Sequence, residues 1–241
     1  FLAAPVFGLA SATLATVLIL LPSFFPAAGF RGDLVVIFYL LAIPSVSYII
    51  GSLASGNPIG AVGASREMKL IIAYEFAFIL ALAAIFVKTG MSLTISDILA
   101  RQESAGVNIG SISGILIFIV LLFVIQAKLA WVPFDMSEAE AELAHGLFIE
   151  YSGAAYAIIR MTRYIMLFAL PSLLITLLFG GYSISGLGIL WSVLKLVLVL
   201  LLITLIRNTN PRIKISQAMR FFFLWMSLIA LVAVGLSTVN L

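Results

Sequence analysis

Nearly the whole chain divides into apolar runs of about 20 residues, and no other feature restricts its fold so tightly. A helix rises about 1.5 Å per residue, so such a run crosses the roughly 30 Å hydrocarbon layer of a bilayer. Lipid offers peptide groups no hydrogen-bond partner, so a spanning segment must be a helix or part of a closed barrel. Barrel strands alternate polar and apolar residues, and that alternation is missing here. The expected fold is therefore all-α, a polytopic transmembrane helical bundle of about seven spans, at residues 4–25, 34–54, 68–87, 112–131, 154–179, 187–206 and 218–239. Composition agrees: 63% of residues are hydrophobic and 10% charged, against about 25% charged in soluble domains. Pro22, Pro44 and Pro171 fall in or near spans, where neighbouring helices can re-satisfy the backbone. Residues 1–241 read as a single transmembrane domain.

The chain has no cysteine and one histidine, His145. Disulfides, thiolate zinc sites, iron–sulfur ligation and cysteine nucleophiles are thereby excluded, and no cofactor is expected in this chain. The net charge of +3 reports topology before it reports nucleic acid, which is not an expected partner. Arg66, Lys69, Lys128, Arg160, Arg163, Arg207, Arg212, Lys214 and Arg220 fall on one side of the predicted spans, and only Arg31, Lys88 and Arg101 on the other. Basic residues concentrate on the cytoplasmic side, so the first set is expected to face the cytoplasm. The chain starts at Phe1 without a methionine or a signal-peptide pattern, and a preceding N-terminal portion is expected.

Two ionisable residues stand inside spans: Glu75 in "KLIIAYEFAFIL" and Lys195 in "ILWSVLKLVLVLLL". A charge at that depth costs at least about 2.5–3.5 kcal/mol on insertion scales, so such groups face other helices or water and usually pair. One reading is a structural Glu–Lys pair, or a lysine reaching for the interface. The favoured reading is a hydrated proton path, since burial stabilises the protonated form of a carboxyl group.

The segment "WVPFDMSEAEAELAHGLFIEYSG", residues 131–153, holds five of the ten acidic residues and the histidine. On a helix starting near Ser137, the residues Glu138, Glu142 and His145 would form one polar stripe. Asp135 and Ser137 could cap that helix, and Ser137 with Glu140 fits a capping box. Acidic runs are usually solvated faces. Here the apolar flanks hold the loop close to the membrane. A carboxylate-bound Ca²⁺ or Mg²⁺ would need a convergence of ligands that this spacing does not supply, and a hydrolytic carboxylate dyad has no recognisable substrate.

"PFDMSEAEAELAHGLFIEYSG" resembles the P-F-D-x-x-E-A-E-x-E-L…E-Y-S-G segment of the respiratory complex I subunit 1 family, which is shared with membrane-bound energy-converting NiFe hydrogenases. "FLAAP", "SGNPIGAVGASREMKLIIAYE" and "NTNPRIKISQAMRFFFLW" are similar to further segments of that family, so the resemblance runs along the whole chain. It implies eight spans, the first lying before Phe1. It also implies that residues 132–153 sit beneath a peripheral electron-transfer arm and start a line of carboxylates. Carried over by position, Asp135, Glu138, Glu140, Glu142 and Glu150 would relay charge or protons, with Glu75 matching the family's intramembrane glutamate and Arg66 its loop arginine. From their place in this chain, Lys195 is expected to join that relay, and Arg163 and Arg212 to supply counter-charge with Arg66. Quinone-reducing members usually read His-Thr before the Glu-Tyr-Ser that is Glu150-Tyr151-Ser152 here, and this chain has Phe148-Ile149. They usually carry an acid where Arg163 precedes Tyr164, and an Asp where Ser216 stands.

These departures point to the hydrogenase-type branch, with the sulfane-reducing complexes next. The implied partners are hydrogenase large and small subunits holding the NiFe centre and iron–sulfur clusters, together with antiporter-like membrane subunits and the lipid bilayer. The rival readings are a quinone-binding complex I subunit, an independent ion transporter and a purely structural anchor.

Overall fold

The computed structural model describes residues 1–138, 146–183 and 186–239. In chain order the helices are α1 (Ala4–Phe24), α2 (Asp33–Ala54), α3 (Pro58–Lys88), α4 (Ile95–Ala105), α5 (Ile112–Lys128), α6 (Gly153–Leu178), α7 (Leu187–Thr209) and α8 (Ile215–Thr238). Six of them are long and apolar enough to cross a membrane; α5 is apolar but has 17 residues, about 25 Å of helix. No strand occurs among the described residues. The polytopic helical bundle is therefore the observed fold.

Two boundaries differ from expectation for local reasons. The third span starts at Pro58, ten residues before the predicted 68, so a stretch expected to be loop is helix. Asn57 caps it by accepting a hydrogen bond from the Ile59 N–H at 2.9 Å, and Pro58 follows at the first helical position, where its missing N–H costs nothing. Residues 94–108, expected as a long loop, contain the amphipathic α4, whose Ile95, Ile98 and Leu99 are buried. Within α8, residues Phe221–Met226 form a π-helical stretch, and the Ser227 hydroxyl donates to the Phe222 carbonyl at 2.8 Å.

α3 is the central helix, packed against α2, α5 and α8, while α1 packs against α2 and α6. The main core contains Ile19, Ile37, Tyr74, Phe78, Ile117, Ile125 and Phe222; a smaller one of Tyr48, Ile49, Ala64, Leu147, Phe148, Tyr151 and Ile159 lies under residues 146–151. α6 and α7 contrast sharply: 67% of the apolar stretch of α6 is buried within the chain but 17% of that of α7. α7 thus presents Leu190, Trp191, Leu194 and Leu198 outward, as a helix does whose solvent is lipid or a neighbouring subunit.

The helix directions place residues 131–138 and 146–151 and the N-termini of α3, α6 and α8 at one end of the bundle. The nine basic residues assigned to one side lie towards that end and the other three towards the opposite end. At the opposite end, the C-terminal carbonyls of α6 are satisfied by side chains. Gln102 donates to the Thr176 carbonyl at 2.9 Å and Asn108 to that of Leu177 at 2.8 Å, and Lys195 reaches the carbonyls of Phe179 at 2.6 Å and Gly181 at 3.3 Å. The last carbonyls of a helix carry partial negative charge, so an ammonium group belongs there.

Candidate functional site

The described flanks of the acidic segment, residues 131–138 and 146–151, are anchored on the bundle by apolar side chains. Phe134 is buried against the π-helical stretch of α8, its ring 4.9 Å from that of Phe222 and 5.8 Å from that of Phe221. Leu147 and Phe148 are buried over α2 and α3, and the Leu147 N–H donates to the Ser137 carbonyl at 3.4 Å. Two glycines allow this close approach. A Cβ at Gly63 of α3 would stand 2.7 Å from the Leu147 nitrogen. One at Gly146, whose φ is +46°, would stand 2.2 Å from the Ser137 oxygen. With the loop seated in this way, Asp135 and Glu138 come to rest on the bundle instead of in open water.

Among the described residues three ion pairs are found here. Arg212, from the segment before α8, meets Asp135 at 2.7 Å. Arg163 of α6 pairs with Glu138 and lays its guanidinium over the Phe148 ring, 4.7 Å from the centroid. Deeper in the bundle, the Lys128 ammonium at the end of α5 donates to Glu75 Oε1 at 2.5 Å. The Lys128 side chain is 1% exposed and that of Glu75 13%. The ammonium also faces the rings of Tyr74 and Phe78, at 5.3 Å and 4.9 Å.

Between the second and third pairs lies an enclosed cavity of about 30 Å³, bordered by Tyr48, Glu67, Lys128, Ser137, Glu138 and Arg163. That volume suits one or two water molecules. Glu67, one residue after Arg66 on α3, is buried, and its Oε2 has no hydrogen-bond partner among the described residues. Eight residues along a helix is about 12 Å, so Glu67 and Glu75 mark successive depths in α3. Beside this run, a groove of about 560 Å³ is lined by Arg66, Asp135, Met136, Arg212, Lys214 and Ser216, and Arg66 donates to the Met136 carbonyl at 3.3 Å.

The structure brings together Asp135 with Arg212, Glu138 with Arg163, and Glu75 with a lysine. That lysine is Lys128, and not Lys195, the one expected to share the relay. Lys195 sits on α7 towards the opposite end of the bundle, held by backbone carbonyls of the α6 C-terminus. Glu150 stands apart too: it is exposed and accepts a hydrogen bond from the Asn57 amide at 2.5 Å, at the start of α3. Glu140, Glu142 and His145 lie outside the described residues.

Sequence reasoning misses Glu67 and Lys128. Lys128 counts there only towards topology, because it closes an apolar span. The i, i+8 spacing of Glu67 and Glu75 on one helix is the available signal for the other.

Comparison with known proteins agrees with this architecture. The family model described as NADH dehydrogenase matches residues 1–238. A membrane subunit of the NADH-quinone oxidoreductase of Bacillus cytotoxicus is 31% identical over 226 residues, covering 92% of this chain and 67% of that protein. Its counterpart from Brevibacillus brevis is 32% identical over 188 residues, covering 76% of this chain and 55% of that protein. The chain thus spans between about half and two thirds of the length of these relatives. Among solved structures, a chain of the membrane-bound sulfane sulfur reductase, an archaeal respiratory membrane complex, superposes with a TM-score of 0.86 at 25% identity, covering 97% of this chain and 78% of that one. A chain of apolar helices with a run of ion pairs leading from one end into the bundle, matched over nearly its full length, belongs to the NADH dehydrogenase family of complex I subunit 1 proteins, multi-pass membrane subunits of complex I-like oxidoreductases.

Proposed function

We propose that the chain is the membrane anchor and charge-relay subunit of a ferredoxin-driven energy-converting NiFe hydrogenase of a prokaryotic cell membrane, coupling hydrogen evolution to H⁺ or Na⁺ translocation. In this reading the loop face is cytoplasmic and carries the hydrogenase large and small subunits. Their NiFe centre and iron–sulfur clusters supply the redox chemistry. Antiporter-like membrane subunits contact the lipid-facing helices. The chain's own residues bind no redox group; they hold the redox module at the membrane and respond to its charge. The observation that carries the reading is the run of acids and counter-ions from Asp135–Arg212 at the loop face, through Glu138–Arg163, to Lys128–Glu75 inside the bundle. A charge that arrives at one end acts on the next pair through its field, more strongly in the bundle than in water.

A quinone-reducing role is less well supported. Quinone-reducing members usually carry an acid where Arg163 stands and His-Thr where Phe148-Ile149 stand, and here Arg163 is committed to Glu138. The likeness to the sulfane sulfur reductase chain favours, as a second reading, the same relay beneath a sulfane-reducing module.

The test is to purify the native assembly, measure nickel and assay hydrogen evolution and ion translocation with Glu138→Gln. A nickel-containing assembly that keeps its electron turnover but loses translocation is the expected result. Full retention of both activities by Glu138→Gln would refute the relay. A nickel-free assembly that reduces polysulfide would move the chain to the second reading.

A further inference from the structure

Among the described residues Glu67 and Glu138 line the small cavity and Glu75 lies behind Lys128, which also lines it; two of these three acids are engaged in ion pairs and one is not. Glu138 is bound by Arg163 and Glu75 by Lys128. Glu67 lines the same cavity as Glu138, Arg163 and Lys128 but has no ion-pair partner among the described residues, and its Oε2 is buried without a hydrogen-bond partner. Counting Glu75 behind Lys128, three acids thus stand against two cations among the described residues, and Glu67 itself is buried; an uncompensated buried charge is costly enough that a group gives it up. A metal cation is a poor candidate for the balancing charge. Lys128 and Arg163 both border the cavity, and among the described residues no cluster of His, Asp or Glu is placed to ligate an ion. A proton needs only the free oxygen of Glu67.

We infer that Glu67 is the proton-carrying junction between the two buried ion pairs, holding a proton in the resting chain and passing it through the water-sized cavity. The step moves one proton and no electrons. The O–H bond of Glu67 breaks, a cavity water takes and hands on the proton, and a new O–H bond forms on a carboxylate oxygen of Glu75 or Glu138. When Glu75 is the acceptor, the Lys128 ammonium exchanges its anionic partner at Glu75 for one at Glu67. When Glu138 is the acceptor, the proton reaches water at the loop face, since the Glu138 side chain is 22% exposed. The other polar groups facing the cavity among the described residues are neutral, including Tyr48 of α2 and Ser137 of the loop, with Tyr74 of α3 close by. Arg66, the residue before Glu67 on α3, donates to the Met136 carbonyl. The use made of this proton rests on the relay reading; its residence on Glu67 does not.

The test is infrared spectroscopy of the purified chain in lipid nanodiscs near neutral pH. The expected result is a protonated-carboxyl C=O band that shifts in D₂O, is absent in Glu67→Gln and survives, displaced, in Glu67→Asp. Because Gln resembles the neutral acid, Glu67→Gln should also melt within about a degree of the parent. A band that persists in Glu67→Gln, or a Glu67→Gln chain destabilised as badly as Lys128→Met, overturns the inference. In the intact complex, Glu67→Gln should lower ion translocation by roughly a hundredfold, the scale on which a positioned acid or base acts, with Glu67→Asp restoring most of it. If the band is lost but translocation is unchanged, the proton site stands and the relay falls.

Discussion

Lys128→Met is the sharpest stability test of the site. The substitution removes an ammonium 2.5 Å from Glu75 Oε1, from a side chain that is 1% exposed, and leaves a carboxylate whose Oε2 already has no partner among the described residues. Breaking a buried pair by deleting one member costs about 3–5 kcal/mol. That cost has a ceiling, because Glu75 can accept a proton instead of staying charged. At about 1.4 kcal/mol per pH unit, and roughly 2.7 units between an ordinary glutamate and pH 7, the ceiling is about 3.7 kcal/mol. Losing the ammonium from the faces of Tyr74 and Phe78 adds about 1 kcal/mol. The variant is relieved of desolvating a lysine, so the expected net loss is about 2–4 kcal/mol.

For a chain of this size each kcal/mol shifts the midpoint by about 2–4 °C, which gives a drop of roughly 5–15 °C in a nanodisc melting assay. Glu75→Gln alone leaves the lysine stranded and should fall similarly. In the double variant both charges are gone, so its loss should fall clearly short of the two single losses added together, with a coupling of about 2–3 kcal/mol. A double variant as unstable as the two singles added together would refute the pairing argument. So would a Lys128→Met chain that melts with the parent.

Two further substitutions probe the seat and the far end. Gly63→Ala would drive a methyl group to 2.7 Å from the Leu147 backbone nitrogen, and backbone cannot yield as a side-chain tip can. A loss of about 1–3 kcal/mol is expected, with faster proteolysis at residues 146–151 as the loop is pushed off. Unchanged proteolysis of the Gly63→Ala variant would show that the loop is not seated on α3. Lys195→Met removes two hydrogen bonds to the α6 C-terminus. It should cost about 1–3 kcal/mol on melting while leaving ion translocation per folded complex intact. A selective loss of translocation would return Lys195 to the relay.

The membrane class, the count of apolar helices and the family were all legible in the sequence, because they rest on run length, on the sorting of basic residues and on a long acidic motif of unusual composition. So was the presence of acids that need partners. Which charge meets which was decided by packing. Lys195 is the deepest-looking lysine by its place in its span, yet it lies near enough to the α6 C-terminus to bond exposed carbonyls. Lys128 is by sequence an ordinary residue at the end of a span; Phe134, Leu147 and Phe148 draw the loop over it and close it from water. Glu67 becomes a buried acid only through the glycines that let the loop approach α3 within van der Waals distance. Hydropathy and charge act along the chain and can be read from it. The pairing of charges depends on distances of a few ångströms between elements far apart in sequence, and those exist only once the helices and the loop have packed.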